Sequence, residues 1–392
     1  MNRHEQNRPP RDRRGFALAV ALMAIALIGA MVVGGYIASV QDFRMGRNAL
    51  VEQRALATVE LGLDTVYATW KKTWNSAATG TTRVLAYTTS DGGVDTVRIT
   101  KLNQLSFLIV SEGRAGGMGG QLGSRRRAGM IVRLDMPRYN QPGALVSRGT
   151  ISISGNTGIH GTDTTFAGWD CPPAGAGVTG ALAPSWSQFT FQGKNCKGPD
   201  YACITGNPRV DTSKVAADTS TYFNLGTLTW ATMIGRADIS VSGTLTNVQP
   251  SVNPDGTCNT ADVKNWGDPT RGIVNGLATG ACESYFPIIY APGNLAVNGN
   301  MGQGVLLVGG SLAIQGNFTF YGQIITRGTV KITGTGNHVN GGVLAAAVVD
   351  SSSGSVTSGN STIQYSKCAL NSVYSATSDP ARSAQRSWME LF

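Results

Sequence analysis

From Gly15 to Gln41 the chain runs for twenty-seven residues, GFALAVALMAIALIGAMVVGGYIASVQ, without one charged side chain. As a helix rising about 1.5 Å per residue it is about 40 Å long, more than the roughly 30 Å hydrocarbon layer of a bilayer. Core helices of soluble proteins seldom run so far without a polar side chain. A membrane span is the expectation, and the rest of the chain must be arranged around it.

The preceding residues set an orientation. Arg3, Arg8, Arg11, Arg13 and Arg14 stand against Glu5 and Asp12, and Pro9 and Pro10 keep this leader from extending the helix. Cationic flanks stay on the cytoplasmic side, so everything after Asp42 is expected outside. A secretory signal would end in a small-residue cleavage site. Here Ser39 is followed by Val40, Gln41, Asp42 and Phe43, which is a poor site, and the helical pattern continues beyond it.

Arg13, Arg14, Gly15 and Phe16, followed by the apolar run, resemble the N-terminus of a type IV prepilin. The stretch RALATVELGL, Arg54 to Leu63, more specifically resembles the N-terminal domain of PilX-type minor pilins. The resemblance covers about residues 10 to 70. It implies cleavage between Gly15 and Phe16 by a prepilin peptidase, and a membrane helix that later packs among others in a filament. Major pilins carry glutamate at the fifth mature position, where this chain has Val20. Several minor pilins and pseudopilins also lack that glutamate, so the resemblance implies an occasional or tip subunit rather than a bulk one.

The formal charge of +9 invites a nucleic-acid reading. Five arginines against two acids give the leader +3, leaving +6 over the 377 residues after Gly15. That is a weak electrostatic footprint, and no nucleic acid is expected. All six cysteines lie in the part expected outside: Cys171, Cys196, Cys203, Cys258, Cys282 and Cys368. Six cysteines allow fifteen full pairings. Cys196 and Cys203 close a short loop containing Gly198 and Pro199 and are the preferred pair; Cys258 with Cys282 is the next.

From Asp42 to about Trp70 the helix becomes amphipathic, with Leu56, Val59, Leu63, Val66 and Trp70 recurring at threes and fours. Gly34 with Gly35 is the expected kink. Residues 71–142 read as a small β meander packed on that helix, with strands near Thr82–Thr88, Val94–Thr100, Leu105–Val110 and Ala128–Leu134. The glycine-rich stretch before Ala128, with its arginines 125 to 127, reads as a solvated loop.

A second region, 143–367, repeats one short pattern. ISISGN at 151–156 returns as DISVSG, LAVNGN, LAIQGN and VKITG, and the anchors Leu295, Leu312 and Val330 are 17 and 18 residues apart. Second short strands, Val305–Val308, Gln323–Thr326 and Val343–Ala347, lie between and after the copies. Such spacing suits a parallel β-solenoid, whose coils bury their inward side chains only by stacking on one another. The competing fold is an irregular sandwich with glycine-rich hairpins. An interruption from about 160 to 282 carries four tryptophans and most of the cysteines. Residues 368–392 form a tail whose Trp388, Leu391 and Phe392 are expected to cap an open solenoid end. The fold class expected is thus mainly β, with a long N-terminal transmembrane and amphipathic helix and a C-terminal parallel β-solenoid.

Catalytic chemistry is thin. His160 near Asp163 and Asp170 is the one combination available to a glycan-cleaving enzyme. The regular coils contribute only Arg327 and Lys331 as charged side chains. NPDGTCNTAD, Asn253 to Asp262, has oxygen ligands at short intervals but lacks a terminal bidentate glutamate, so an Asx turn is preferred to a calcium loop. No nucleotide-binding loop occurs. No catalytic, metal or cofactor site is assigned.

The reading at this stage is a minor pilin or pseudopilin-like component of a type IV pilus or related secretion system. Its body would prime, cap or adhere. Partners would be other pilin-like subunits, the inner-membrane assembly machinery and prepilin peptidase, with surface glycans as a further class. It would sit in a bacterial inner membrane with a cytoplasmic N-terminus. The alternative is a membrane-anchored adhesin or glycan-binding solenoid, and after it a polysaccharide-acting enzyme.

Overall fold

Helix α1, Phe16–Ala68, is one continuous element of 53 residues, about 80 Å long. Helical structure passes through Gly34 and Gly35 without interruption. The computed structural model describes residues 16–89, 92–116, 123–137, 139–192, 196, 201–270, 273–274, 277–278, 280–347, 355–382 and 388–391. In α1 the buried side are Ala55, Thr58, Val59, Gly62, Leu63 and Val66. Their spacing of threes and fours makes one stripe, and it lies on the C-terminal third of the helix.

That stripe packs on an antiparallel meander of β1 (Thr82–Thr88), β2 (Val94–Asn103), β3 (Ser106–Ala115) and β4 (Ser124–Leu134). Val97, Ile99, Phe107, Ile109, Met130 and Val132 alternate inward along β2 to β4 and close a core with Val59, Leu63, Val66 and Trp74. Alternation of period two on the strands meets a period near 3.6 on the helix, which is the smallest arrangement that hides both apolar faces.

The remaining strands are mostly parallel and alternate between two sheets in a solenoid-like arrangement. Leu295, Leu312 and Val330 are direct register partners, as are Val297, Ile314 and Ile332. In the other sheet Ile289, Leu306, Ile324, Val343, Leu145 and Ala181 form one continuous apolar ladder. The order of stacking is not the order of sequence. The stretch 143–160 lies beyond the last coil: Gly143–Ser147 pairs with Thr335–Ala345, and Gly158–His160 with Asn360–Tyr365. Strands Thr179–Ala183, Phe189–Phe191, Ile204–Thr205 and Val210–Thr212 then extend the stack. The chain returns through residues 214–235 to begin the opposite end at Ile239–Ser240, beside Ile288–Ala291.

Gly304, Gly322 and Gly341 are register partners with φ of 125°, 136° and 143°, values that favour glycine. A Cβ at Gly322 would meet both the Gly304 carbonyl and Val373. The row therefore lets the helix Lys367–Thr377 lie close on the sheet, where Tyr374 Oη donates to Gln323 Oε1 at 3.1 Å.

The tail does not cap the solenoid-like stack. Pro380–Arg382 and Trp388–Glu390 both pair with β4 of the meander. The open edge of β4 offers unpaired backbone groups that the tail strands satisfy, and Leu391 N adds a bond to Arg127 O at 2.9 Å. Phe392 lies outside the described residues.

Candidate assembly surface and exposed clefts

Between Phe16 and Leu50 the side chains of α1 face solvent almost throughout. Phe16 is 79% exposed and Val20 51%. Gly15, the other half of the expected cleavage junction, lies outside the described residues. The helix is long and apolar enough to cross a membrane. Its free segment carries no charged side chain from Phe16 to Gln41, and it runs into the packed segment without an intervening loop.

The docking of that rod depends on close approach. A Cβ on Gly113 would press into the Ala55 carbonyl and Val59, and one on Gly62 into Asp95. Ser111 Oγ lies 3.0 Å from Val59 O and 2.8 Å from Asp95 Oδ1. Burial raises the Asp95 carboxyl above its ordinary value, against the opposing hydrogen bond from Ser111. On the neighbouring strand Glu112 is ringed by Arg125, Arg114 and Arg98. Burial tends to raise its pKa, but the hydrogen bonds and charges of Arg125 and Arg114 outweigh that and hold it low. The arginine run is thus not a loop. Arg125, Arg126 and Arg127 belong to β4, and Arg126 pairs with Glu52 of α1. Cross-strand and cross-element carboxylates supply partners that sequence neighbours do not.

The residues considered for catalysis each make contacts that serve the fold. His160 Nδ1 is 3.0 Å from Thr205 Oγ1, and burial lowers its pKa. Asp163 accepts from Gly175 N and Lys367 N, each at 2.8 Å, at the start of the helix Lys367–Thr377. Asp170 accepts from Thr79 Oγ1 at 2.8 Å and so links the stack to the meander. Asp255 accepts from Thr257 N at 2.9 Å within an Asx turn. Among the described residues no three His, Cys, Asp or Glu side chains converge as metal ligands would.

All six cysteines pair: Cys171 with Cys368, Cys196 with Cys203, and Cys258 with Cys282. The first joins the segment before the return crossing to the C-terminal helix.

Several clefts open among the described residues, two of which bear on function. One of about 230 Å³ lies between the meander and the stack, lined by Lys101, Asp170, Glu283 and Phe286 among others. Lys101 Nζ there donates to the carbonyls of Asn75 and Ala77, both at 2.7 Å. The other, about 380 Å³, lies where residues 214–235 cross the stack, and is lined by Phe223, Asn224, Thr229, Trp230, Ala231 and Arg327. Phe223 and Trp230 meet edge to face at 5.5 Å, and Trp230 meets Tyr290 at 6.4 Å. Sequence reading noted Arg327 as a rare charge in the coils but had no means to place Trp230 beside it.

No protein-family model matches the chain, and no curated protein sequence matches it. Among solved structures the chain is similar to the competence-associated pilin ComZ from Thermus thermophilus, at 13% identity over 88% of this chain and 97% of that one. The TM-score is 0.23, a likeness too distant to transfer fold or function.

Proposed function

We propose that this chain is a minor pilin or pseudopilin-like structural subunit of a type IV pilus or related secretion system. The observation that carries the reading is the unbroken helix α1, without a charge as far as Gln41, exposed ahead of Leu50 and packed on a β meander behind it. Such a rod is stored in lipid at little cost and buries its apolar face again when it packs among like helices. In this reading prepilin peptidase cuts between Gly15 and Phe16, the cytoplasmic leader is lost, and the β-rich body stands outside the inner membrane. Val20, apolar and exposed, gives no carboxylate to pair with a neighbour's terminal amine, which suits priming, capping or tip display over bulk assembly.

N-terminal sequencing of the membrane-associated protein tests this. A start at Phe16, with crosslinks from residues 16–40 to other pilin-like helices, supports it. A start at Met1 in cells with active prepilin peptidase refutes the processing step. A permanently anchored adhesin is the second reading, favoured by the aromatic cleft on the body. It expects an uncleaved chain with no helix-to-helix crosslinks.

A further inference from the structure

Arg327 follows the strand Thr319–Thr326, in the sheet of Leu306, Ile324 and Val343, at a corner of the stack where the same backbone hydrogen bond repeats on three rungs. Arg327 N donates to Val308 O at 2.9 Å, Ala346 N to Thr326 O at 2.9 Å, and Arg148 N to Ala345 O at 3.0 Å. Arg327, Ala346 and Arg148 therefore stand in one row. The two arginines are two coils apart, about 10 Å at the ordinary strand spacing. Both are exposed, and neither guanidinium has an ion-pair or hydrogen-bond partner among the described residues. Several other arginines of the body are committed, Arg114 and Arg125 to Glu112, Arg382 to Asp64 and Arg236 to Asp379, while the exposed Arg83 and Arg133 lie on the meander, away from this corner.

The return crossing lies along this same corner. Arg327 lines its cleft with Trp230 and Phe223, and the charge of Arg148 acts on Tyr222, the residue before Phe223. The carboxylate of Asp218 on the crossing accepts from Ser220 N at 2.9 Å and Ser220 Oγ at 2.7 Å. The cleft thus offers aromatic surface, the short polar side chains of Asn224 and Thr229 and the guanidinium of Arg327, and a second uncommitted guanidinium, Arg148, stands two rungs away in the same row outside the cleft lining.

We propose that this corner binds an acidic polysaccharide, with one sugar ring against Trp230 and carboxylates on alternate sugars met by Arg327 and Arg148. The forked guanidinium matches a carboxylate bidentately. A ring that is apolar on its face and hydroxylated at its rim suits an aromatic wall flanked by amide and hydroxyl groups. The repeat of a polyuronate, unlike an isolated acid, uses both arginines at once, so that the second contact is intramolecular. The proposal rests on the reading that the body is displayed outside the membrane. Binding to the purified chain does not depend on pilus entry, so either idea fails separately.

The test is calorimetric titration of the full chain in detergent micelles with an alginate hexasaccharide. A neutral dextran hexamer and a single-stranded oligothymidine serve as comparisons. Saturable alginate binding is expected, with dextran at least about tenfold weaker, the worth of one charged hydrogen-bonded contact. Arg327→Ala and Arg148→Ala should each weaken alginate about tenfold, with Arg327→Lys recovering part of the loss. Both arginines are exposed, so far-UV circular dichroism and the thermal unfolding midpoint should be unchanged in these variants. Equal binding of alginate and dextran overturns the proposal, as do alanine variants that bind like the parent. Oligothymidine binding tighter than alginate overturns it in favour of a nucleic-acid surface.

Discussion

Gly62 of helix α1 lies flat against the carboxylate of Asp95 on β2: a methyl group at position 62 would overlap Asp95 Oδ2. The helix, long and apolar enough to cross a membrane, is held to the body at this point by the absence of a side chain. The neighbouring stripe, Val59, Leu63 and Val66, is buried because the backbones come that close.

Gly62→Ala is expected to destabilise the body although alanine is the better helix former by about 1 kcal/mol. Forcing a methyl group into a filled interface costs about 1–3 kcal/mol, so the clash outweighs the propensity gain. Thermal unfolding of the full chain in detergent should show a lowered midpoint. The double variant Gly62→Ala with Asp95→Ala should recover part of it, because the overlapping carboxylate is gone. Equal loss in the single and double variants would show that the overlap is not the cause.

Asp95 and Glu112 should give stability opposite dependences on pH. Burial raises Asp95 above its ordinary 3.8, so between that value and its folded one the native chain holds the extra proton. Stability therefore falls as pH rises through that window. Glu112 is held below its ordinary 4.5, so its contribution is present above 4.5 and is lost as pH falls through the folded value. Asp95→Asn should remove the decline on the alkaline side of 3.8, and Glu112→Gln the decline on the acid side of 4.5. Unfolding midpoints measured across the acid range for both variants decide it.

Asn75 joins the meander to the stack. Its fully buried Nδ2 reaches the carbonyls of Ser375, Ala376 and Ser378 at 3.0, 3.1 and 2.8 Å, where the helix Lys367–Thr377 ends. Asn75→Ala should cost about 1–3 kcal/mol by leaving these acceptors without their donor. Asn75→Asp is expected to be worse than alanine, since it turns a carboxylate toward carbonyl oxygens at the negative end of a helix. Denaturation midpoints in the order parent, Ala, Asp are the expected result; an Asp variant as stable as the parent would contradict it.

Removing Cys171–Cys368 should be more damaging than removing Cys196–Cys203. The sequence separations are 197 and 7. By chain entropy alone the longer loop contributes about 3 kcal/mol more. Paired serine variants compared by thermal unfolding should show the larger loss for the long link. The reverse order would indicate that local strain, not loop length, governs these bridges.

The periodic parts of the fold were legible because each reports on its own neighbours. Val59, Leu63 and Val66 announce a helix face, and Leu295, Leu312 and Val330 announce a repeat, within a window that one glance along the chain covers. What failed to show was position between distant segments. Nothing near Ile151 indicates that its coil stacks beyond residues 355–357, and nothing near Trp388 indicates that its strand pairs with β4. Arg125 and Arg126 read as a loop because Glu112 and Glu52 lie on other elements. The Arg327 cleft was invisible for the same reason, since Trp230 reaches it only through a crossing that the stacking order requires.

By itself the sequence settled the presence of an apolar rod, the β character of the body and the repeat that stacks its coils. These follow from side-chain periodicity, which is a local property of the chain. Tertiary structure alone decided the order of the coils, the edge that the tail satisfies, the pairing of Cys171 with Cys368 and the charges left without partners. Those outcomes depend on which backbone edges and which ionised groups meet across hundreds of residues. That meeting is governed by burial and hydrogen-bond satisfaction in three dimensions rather than by any neighbouring residue.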